Sequence, residues 1–214
     1  MVKPLRRFLA LGDAHAEDAL VEAAIGFARA RGVEAILQVG DVADGHGSLD
    51  RTCALLAEAG ALAVRGNHDR WFLANELRDL EHATPPAAVS KTTRAFLAAL
   101  PATRRLETAA GPLLLCHGVG ERDMVEIDPD GRFLHPELEA IIAARDYRLL
   151  VNGHSHKPMV RQFAALTVIN AGTLHRDYQP GFVIVELDAR EASFYRIALD
   201  GTIALDETLS LASG

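Results

Sequence analysis

The chain has 214 residues and a mass of 23.1 kDa, enough to bury a sizeable core and read here as one domain spanning 1–214. With 49% hydrophobic and 24% charged residues it is neither collagen-like, disordered nor coiled-coil. A formal charge of -7, from 22 basic and 29 acidic residues, argues against a protein that coats long nucleic acids or anionic membranes.

The first apolar run, Phe8–Leu11, stops at Gly12 and Asp13, too early for an export signal. No apolar stretch approaches the roughly 18 residues of a membrane span. The expectation is therefore a soluble, cytoplasmic protein. Further apolar runs at Ala35–Val39, Ala61–Val64, Leu113–Cys116 and Leu149–Val151 have the character of strands buried on both faces. Helical patterns separate the first three strands, over Glu17–Arg31 and over Ser48–Ala59, where Ser48 is placed to cap. That alternation predicts a parallel sheet. Helices are also expected over Arg70–Glu81, Thr92–Leu100 and Pro136–Ala144. From Met159 onward short strands follow one another, at Met159–Phe163, Leu166–Ala171, Phe182–Leu187, Ser193–Leu199 and Ile203–Asp206. They predict a mostly antiparallel second sheet packed on the first. The two cysteines, Cys53 and Cys116, form no Cys-x-x-Cys pair and read as buried thiols.

Each of the five earlier runs ends in a glycine-containing turn that carries metal-capable side chains. They are Gly12-Asp13-Ala14-His15, Gly40-Asp41, Gly66-Asn67-His68-Asp69, Cys116-His117-Gly118 and Gly153-His154-Ser155-His156. Alone, each is an ordinary polar turn or a pair of loop histidines. Jointly they fall at the strand ends where open α/β sheets bind ligands. Five turns at one sheet edge would meet in space.

Asp13, His15, Asp41, Asn67, His117, His154 and His156 mix carboxylate, amide oxygen and imidazole. This mixture is wrong for a thiolate zinc site and too rich in nitrogen for calcium or a dedicated magnesium cage. Manganese, iron, zinc, cobalt and nickel remain. Seven groups exceed the needs of one tetrahedral site and suit two ions about 3.5–4 Å apart.

In kind and order the five motifs resemble those of the calcineurin-like metallophosphoesterases, over Asp13 to His156. The resemblance implies an α/β fold, a four-layer sandwich of two mixed β-sheets flanked by helices. It implies two divalent cofactor ions, manganese first, with iron, zinc, nickel or cobalt as alternatives. One ion falls to Asp13, His15, Asp41 and His156; the other falls to Asp41, Asn67, His117 and His154, with Asp41 bridging and a hydroxide between the ions. Asn67 and His68 would contact the substrate. His68 would protonate or stabilise the leaving oxygen, and Asp69 would orient its imidazole or cap the following helix.

The second motif lacks the arginine of the serine/threonine phosphatases, and the third ends in Asp69 where theirs ends in glutamate. With the full Gly153-His154-Ser155-His156, the pattern looks more like the small bacterial and archaeal phosphodiesterases. The expected activity is hydrolysis of small phosphate esters, diesters first, by in-line attack of the hydroxide. The alternatives are a serine/threonine phosphatase or phosphomonoesterase, and a non-catalytic scaffold of the same fold. The expected partners are a small-molecule ester and a second copy in a homodimer. Specificity should come from loops, above all Gly118–His135, where Arg122 or Arg132 could fork onto phosphate. His46, His175 and Lys157 neighbour the motif turns at the expected rim, while Trp71 and Phe72 should pack the third helix on the sheet.

Overall fold

In the computed structural model, which describes residues 3–131 and 134–211, the apolar runs become strands shared between two sheets. The first sheet has the order β11-β10-β9-β1-β2-β3: β1 (Arg7–Leu11), β2 (Ala35–Gln38) and β3 (Leu62–Ala63) run parallel, and β9 (Gly181–Glu186), β10 (Glu191–Ile197) and β11 (Ile203–Ser210) continue antiparallel from β1. The second has the order β4-β5-β6-β8-β7, from β4 (Thr103–Thr108), β5 (Gly111–Cys116), β6 (Leu149–Asn152), β7 (Met159–Phe163) and β8 (Leu166–Asn170). Here β5, β6 and β8 are parallel, and the outer β4 and β7 are antiparallel to their neighbours.

Alternation along single strands shows why the runs are apolar throughout. Leu9 and Leu11 enter a core with α1 (Asp18–Ala30), α2 (Leu49–Glu58), α3 (Asn67–Ala74) and α4 (Lys91–Ala99), which supply Leu20, Leu56, Phe72 and Leu97. Phe8 and Ala10 point the other way, into a second core shared with Leu113, Leu115 and Val151 of the facing sheet. Leu114 and Leu150 in turn meet Leu138 of α5 (Pro136–Ala144) on the far side. Both faces of each central strand are thus covered. The result is the four-layer sandwich of two mixed sheets flanked by helices.

Three details depart from the sequence reading. The C-terminal strands do not make the second sheet by themselves: β9–β11 extend the first, and β8 lies parallel to β6. β4 escaped notice because Thr-Arg-Arg-Leu-Glu-Thr is polar, as suits an edge strand paired on one side only. The third helix starts inside its motif at Asn67 and stops at Ala74, where Asn75 turns left-handed with φ 57°. The residues beyond are needed elsewhere: Arg78 and Thr84 both reach Asp44. Ser48 does cap α2, accepting from Arg51 N at 3.2 Å. Among the described residues, no helix is long and apolar enough to cross a membrane.

The two-residue turn between β7 and β8 places exposed Ala164 at φ 45°. A left-handed conformation costs an L-residue roughly 1–2 kcal/mol, and glycine escapes that cost. Ala164→Gly is expected to stabilise the protein by about 1 kcal/mol, raising Tm by roughly 2–4 °C in a thermal melt. An unchanged or lower Tm would contradict this.

Candidate metal centre

The five metal-capable turns were expected along the edge of a single sheet. They come instead from two sheets facing each other: three follow β1, β2 and β3, and two follow β5 and β6. Because both sheets direct their parallel strands the same way, the turns close over one space between them. Asp13, His15, Asp41, Asn67 and His117 are buried there, with His154 and His156 half-buried at the opening.

The donors fall into two sets, Asp13, His15 and His156, and Asp41, His117 and His154; within each, ligand atoms lie within 4.8 Å of one another. In the first set His156 Nε2 is 2.9 Å from Asp13 Oδ2 and 3.2 Å from His15 Nε2. In the second, His117 Nε2 is 3.2 Å from Asp41 Oδ2, and Asn67 joins with Oδ1 at 2.9 Å from the same nitrogen. All seven residues anticipated as ligands are therefore brought together.

The surroundings orient these side chains. His15 donates Nδ1–H to the carbonyl of Asp44 and His117 donates Nδ1–H to that of Val39, both at 2.9 Å. Each ring thereby turns its Nε2 toward the site, the usual outer support of a metal-bound histidine. Asp41 accepts from His68 N through Oδ1 at 2.8 Å, leaving Oδ2 toward His117. His154 N donates to both oxygens of Asp13.

Four of the seven, His15, Asp41, His154 and His156, have positive φ, between 44° and 67°. Non-glycine residues rarely adopt this conformation, and such strain clusters at functional sites. The flanking glycines allow the close approach: a Cβ on Gly66 would lie 2.1 Å from Asp41 Oδ1, and one on Gly153 would lie 2.1 Å from Asp13 Oδ1. Gly66→Ala is accordingly expected to push Asp41 out of place and weaken metal affinity by about 10–100-fold, measured by competition with a chromogenic chelator. Wild-type affinity in that variant would show that Asp41 can shift without consequence.

The charges fit a cation. Burial would lower the pKa of His117, but Asp41 and Asp13 outweigh it and raise the imidazole to about 10. Burial likewise opposes ionisation of Asp41, yet His117, followed by His68 and His15, holds that carboxyl well below the usual range. His15 and His154 are lowered, first by burial. A buried pair of carboxylates that draws positive charge into a site lined with further imidazoles has the chemistry of a divalent-metal centre.

Residues 7–190 match the family model of the calcineurin-like phosphoesterase superfamily domain. The chain belongs to this superfamily. The chain shares its fold with the metallophosphoesterase from Sphaerobacter thermophilus (TM-score 0.67, 20% identity, 92% of this chain and 89% of that one). It also shares the fold with the E. coli phosphoesterase Yfce (0.59, 16%, 96% and 100%) and with Vps29 from Chaetomium thermophilum (0.59, 16%, 97% and 99%). No curated protein matches the chain in sequence.

In this member of the superfamily the partner of His68 is not Asp69. The two oxygens of Asp69 accept from Val42 N, Ala43 N and Gly66 N, so it ties the second motif to the start of α3. Burial and the nearby Asp41 raise its pKa to about 7. His68 Nδ1 instead meets Asp44 Oδ2 at 2.8 Å. Asp44 is buried and also accepts from Arg78 Nη1 and Nη2 and from Thr84 N. Burial lowers the His68 pKa, but the Asp44 hydrogen bond, then Asp41, reverse this and raise it. The signal for Asp44 lay in the second motif, Gly40-Asp41-Val42-Ala43-Asp44. Its reach to His68 depends on a left-handed turn, φ 64°, that spacing does not reveal.

Phe72 packs α3 into the core as expected, whereas Trp71 lies edge-on to His68 with ring centroids 4.9 Å apart. Arg122 is exposed, and Arg132 lies outside the described residues. The long loop is fastened by its neighbour, since Asp123 receives Arg70 Nε at 2.7 Å and Nη2 at 3.1 Å. Lys157 is exposed, while His46 and His175 do reach the rim. A cavity of about 490 Å³ lined by Ala109, Arg148 and Gln162 sits at the opposite strand ends and holds none of these donors.

Proposed function

We propose that the protein is a dinuclear-metal phosphoesterase that hydrolyses small phosphate esters, phosphodiesters above all. The observation that carries this reading is the meeting of seven oxygen and nitrogen donors, from five separate turns, in two adjacent sets, Asp13, His15 and His156 in one and Asp41, Asn67, His117 and His154 in the other. Two bound divalent ions would supply hydroxide near neutral pH and neutralise the phosphoryl oxygens. Manganese is the first candidate, and the protein's own residues do the rest. Asp13, His15 and His156 would hold one ion and Asn67, His117 and His154 the other, with Asp41 as the carboxylate both would share. Asn67 and His68 contact the ester. His68, held by Asp44 and packed against Trp71, carries the proton that the leaving oxygen takes up. The complete donor set, together with this oriented histidine, favours catalysis over a purely binding role.

The deciding experiment compares turnover of bis-p-nitrophenyl phosphate with that of p-nitrophenyl phosphate by manganese-loaded protein, with Asp41→Asn as control. The expected result is faster hydrolysis of the diester, lost in the variant. Faster hydrolysis of the monoester would move the reading to a phosphatase. No hydrolysis of either ester by fully loaded protein would overturn it in favour of a scaffold.

A further inference from the structure

Beside the candidate centre lies a second group of metal-capable side chains that no motif accounts for. His46 comes from the segment between β2 and α2, His82 from the loop after α3, and His175 and Asp177 from the turn between β8 and β9. Ligand atoms of His46, His175 and Asp177 lie within 4.8 Å of one another. His46 Nε2 is 2.8 Å from Asp177 Oδ2, His175 Nδ1 is 3.8 Å from it, and His82 Nε2 is 4.0 Å from it. These spacings bracket the edge of about 3.3 Å in a tetrahedron with bonds of roughly 2.0–2.1 Å.

Fixed backbone contacts assemble the group. Gly45 N donates to the His82 carbonyl at 2.9 Å, and the His46 and His82 rings lie tilted at 38° to each other with centroids 3.8 Å apart. His175 N donates to Thr173 Oγ1 at 3.0 Å and Tyr178 N to the His175 carbonyl at 3.1 Å, closing the turn that carries His175 and Asp177. The group adjoins the first centre, for the His175 ring is edge-on to His15 at 4.9 Å, and Tyr178 packs against both His156 and His175.

We propose that His46, His175 and Asp177, with His82 as the fourth donor, form a third divalent-metal site at the rim of the candidate dinuclear centre. Three imidazoles with one carboxylate select a borderline ion such as zinc, cobalt or nickel over magnesium or calcium. The carboxylate also disfavours an anion in the same place, so the group is no ready-made phosphate pocket. Its position at the surface makes the ion exchangeable, and one ion there joins three loops of the rim. The site stands independently of the dinuclear reading.

The test strips the full chain with a chelator, dialyses it against a low, buffered Co2+ concentration and counts bound cobalt by mass spectrometry, for wild type and for His46→Gln/Asp177→Asn. Both replaced residues lie at the surface, and circular dichroism checks that the fold is kept. The expected result is one fewer ion per chain in the variant, with loss of part of the tetrahedral Co2+ absorption. Equal metal content and equal spectra would overturn the proposal and leave a hydrogen-bonded surface cluster. Should the double variant fail to fold, His46→Gln alone carries the same expectation. A failed dinuclear reading would look different: wild type would hold a single ion, and this variant would lose it.

Discussion

Asp41→Asn is expected to lower phosphodiester turnover by at least about 10³-fold, because in the proposed dinuclear centre this carboxylate would serve both ions, and metal ions supply several kcal/mol of transition-state stabilisation. Asparagine keeps the shape of the side chain and can still accept from His68 N through its amide oxygen, as Asp41 Oδ1 does at 2.8 Å. The fold should survive. What changes is the charge beside His117, whose Nε2 lies 3.2 Å from Asp41 Oδ2. Bound manganese should fall below the wild-type content in the same preparation, measured by mass spectrometry, and excess metal should not restore the rate. Full activity with full metal content would remove Asp41 from the centre and with it the two-ion arrangement.

The second large effect is expected at Asp44, a residue that acts through another. Asp44→Asn removes the carboxylate that holds His68 Nδ1 at 2.8 Å, so kcat should fall by about 10²-fold or more with little change in KM. His68→Ala should fall by about 10²–10⁴-fold. The double variant should be no slower than His68→Ala, since Asp44 has nothing left to orient. Multiplying defects would show that Asp44 contributes by some other route. Stability is a separate matter. Arg78 shares the same carboxylate at 2.7 and 2.9 Å with its side chain only 15% exposed, so Asp44→Asn also leaves a buried cation without its counter-charge. That loss is expected to be about 3 kcal/mol in a denaturant titration. Measuring kcat well below the midpoint keeps the two effects apart.

The histidine cluster at the rim illustrates where reading along the chain reaches its limit. His46 and His175 were visible as neighbours of motif turns, but His82 and Asp177 carried no signal at all. His82 sits in a loop that a longer third helix would have absorbed, and only the left-handed Asn75 frees that segment to fold back. The partnership of Asp44 with His68 depends on a left-handed turn, and Asp69 lost that role because its carboxylate faces three backbone N–H groups of the second and third motifs.

The sequence by itself determined that this is an α/β protein of strands buried on both faces, and it named the seven metal-capable side chains that the fold brings together. Both facts follow from local chemistry: a strand covered on two sides must be apolar throughout, and a turn that holds a metal must carry oxygen or nitrogen. Only the tertiary structure decided that β8 would run beside β6 while β9 returned to β1, that two sheets rather than one would deliver the five turns, and which acid would hold His68. Those choices rest on pairing between residues far apart in sequence and on backbone angles at single positions. Composition and periodicity carry neither, because both describe what a residue prefers and not what it meets.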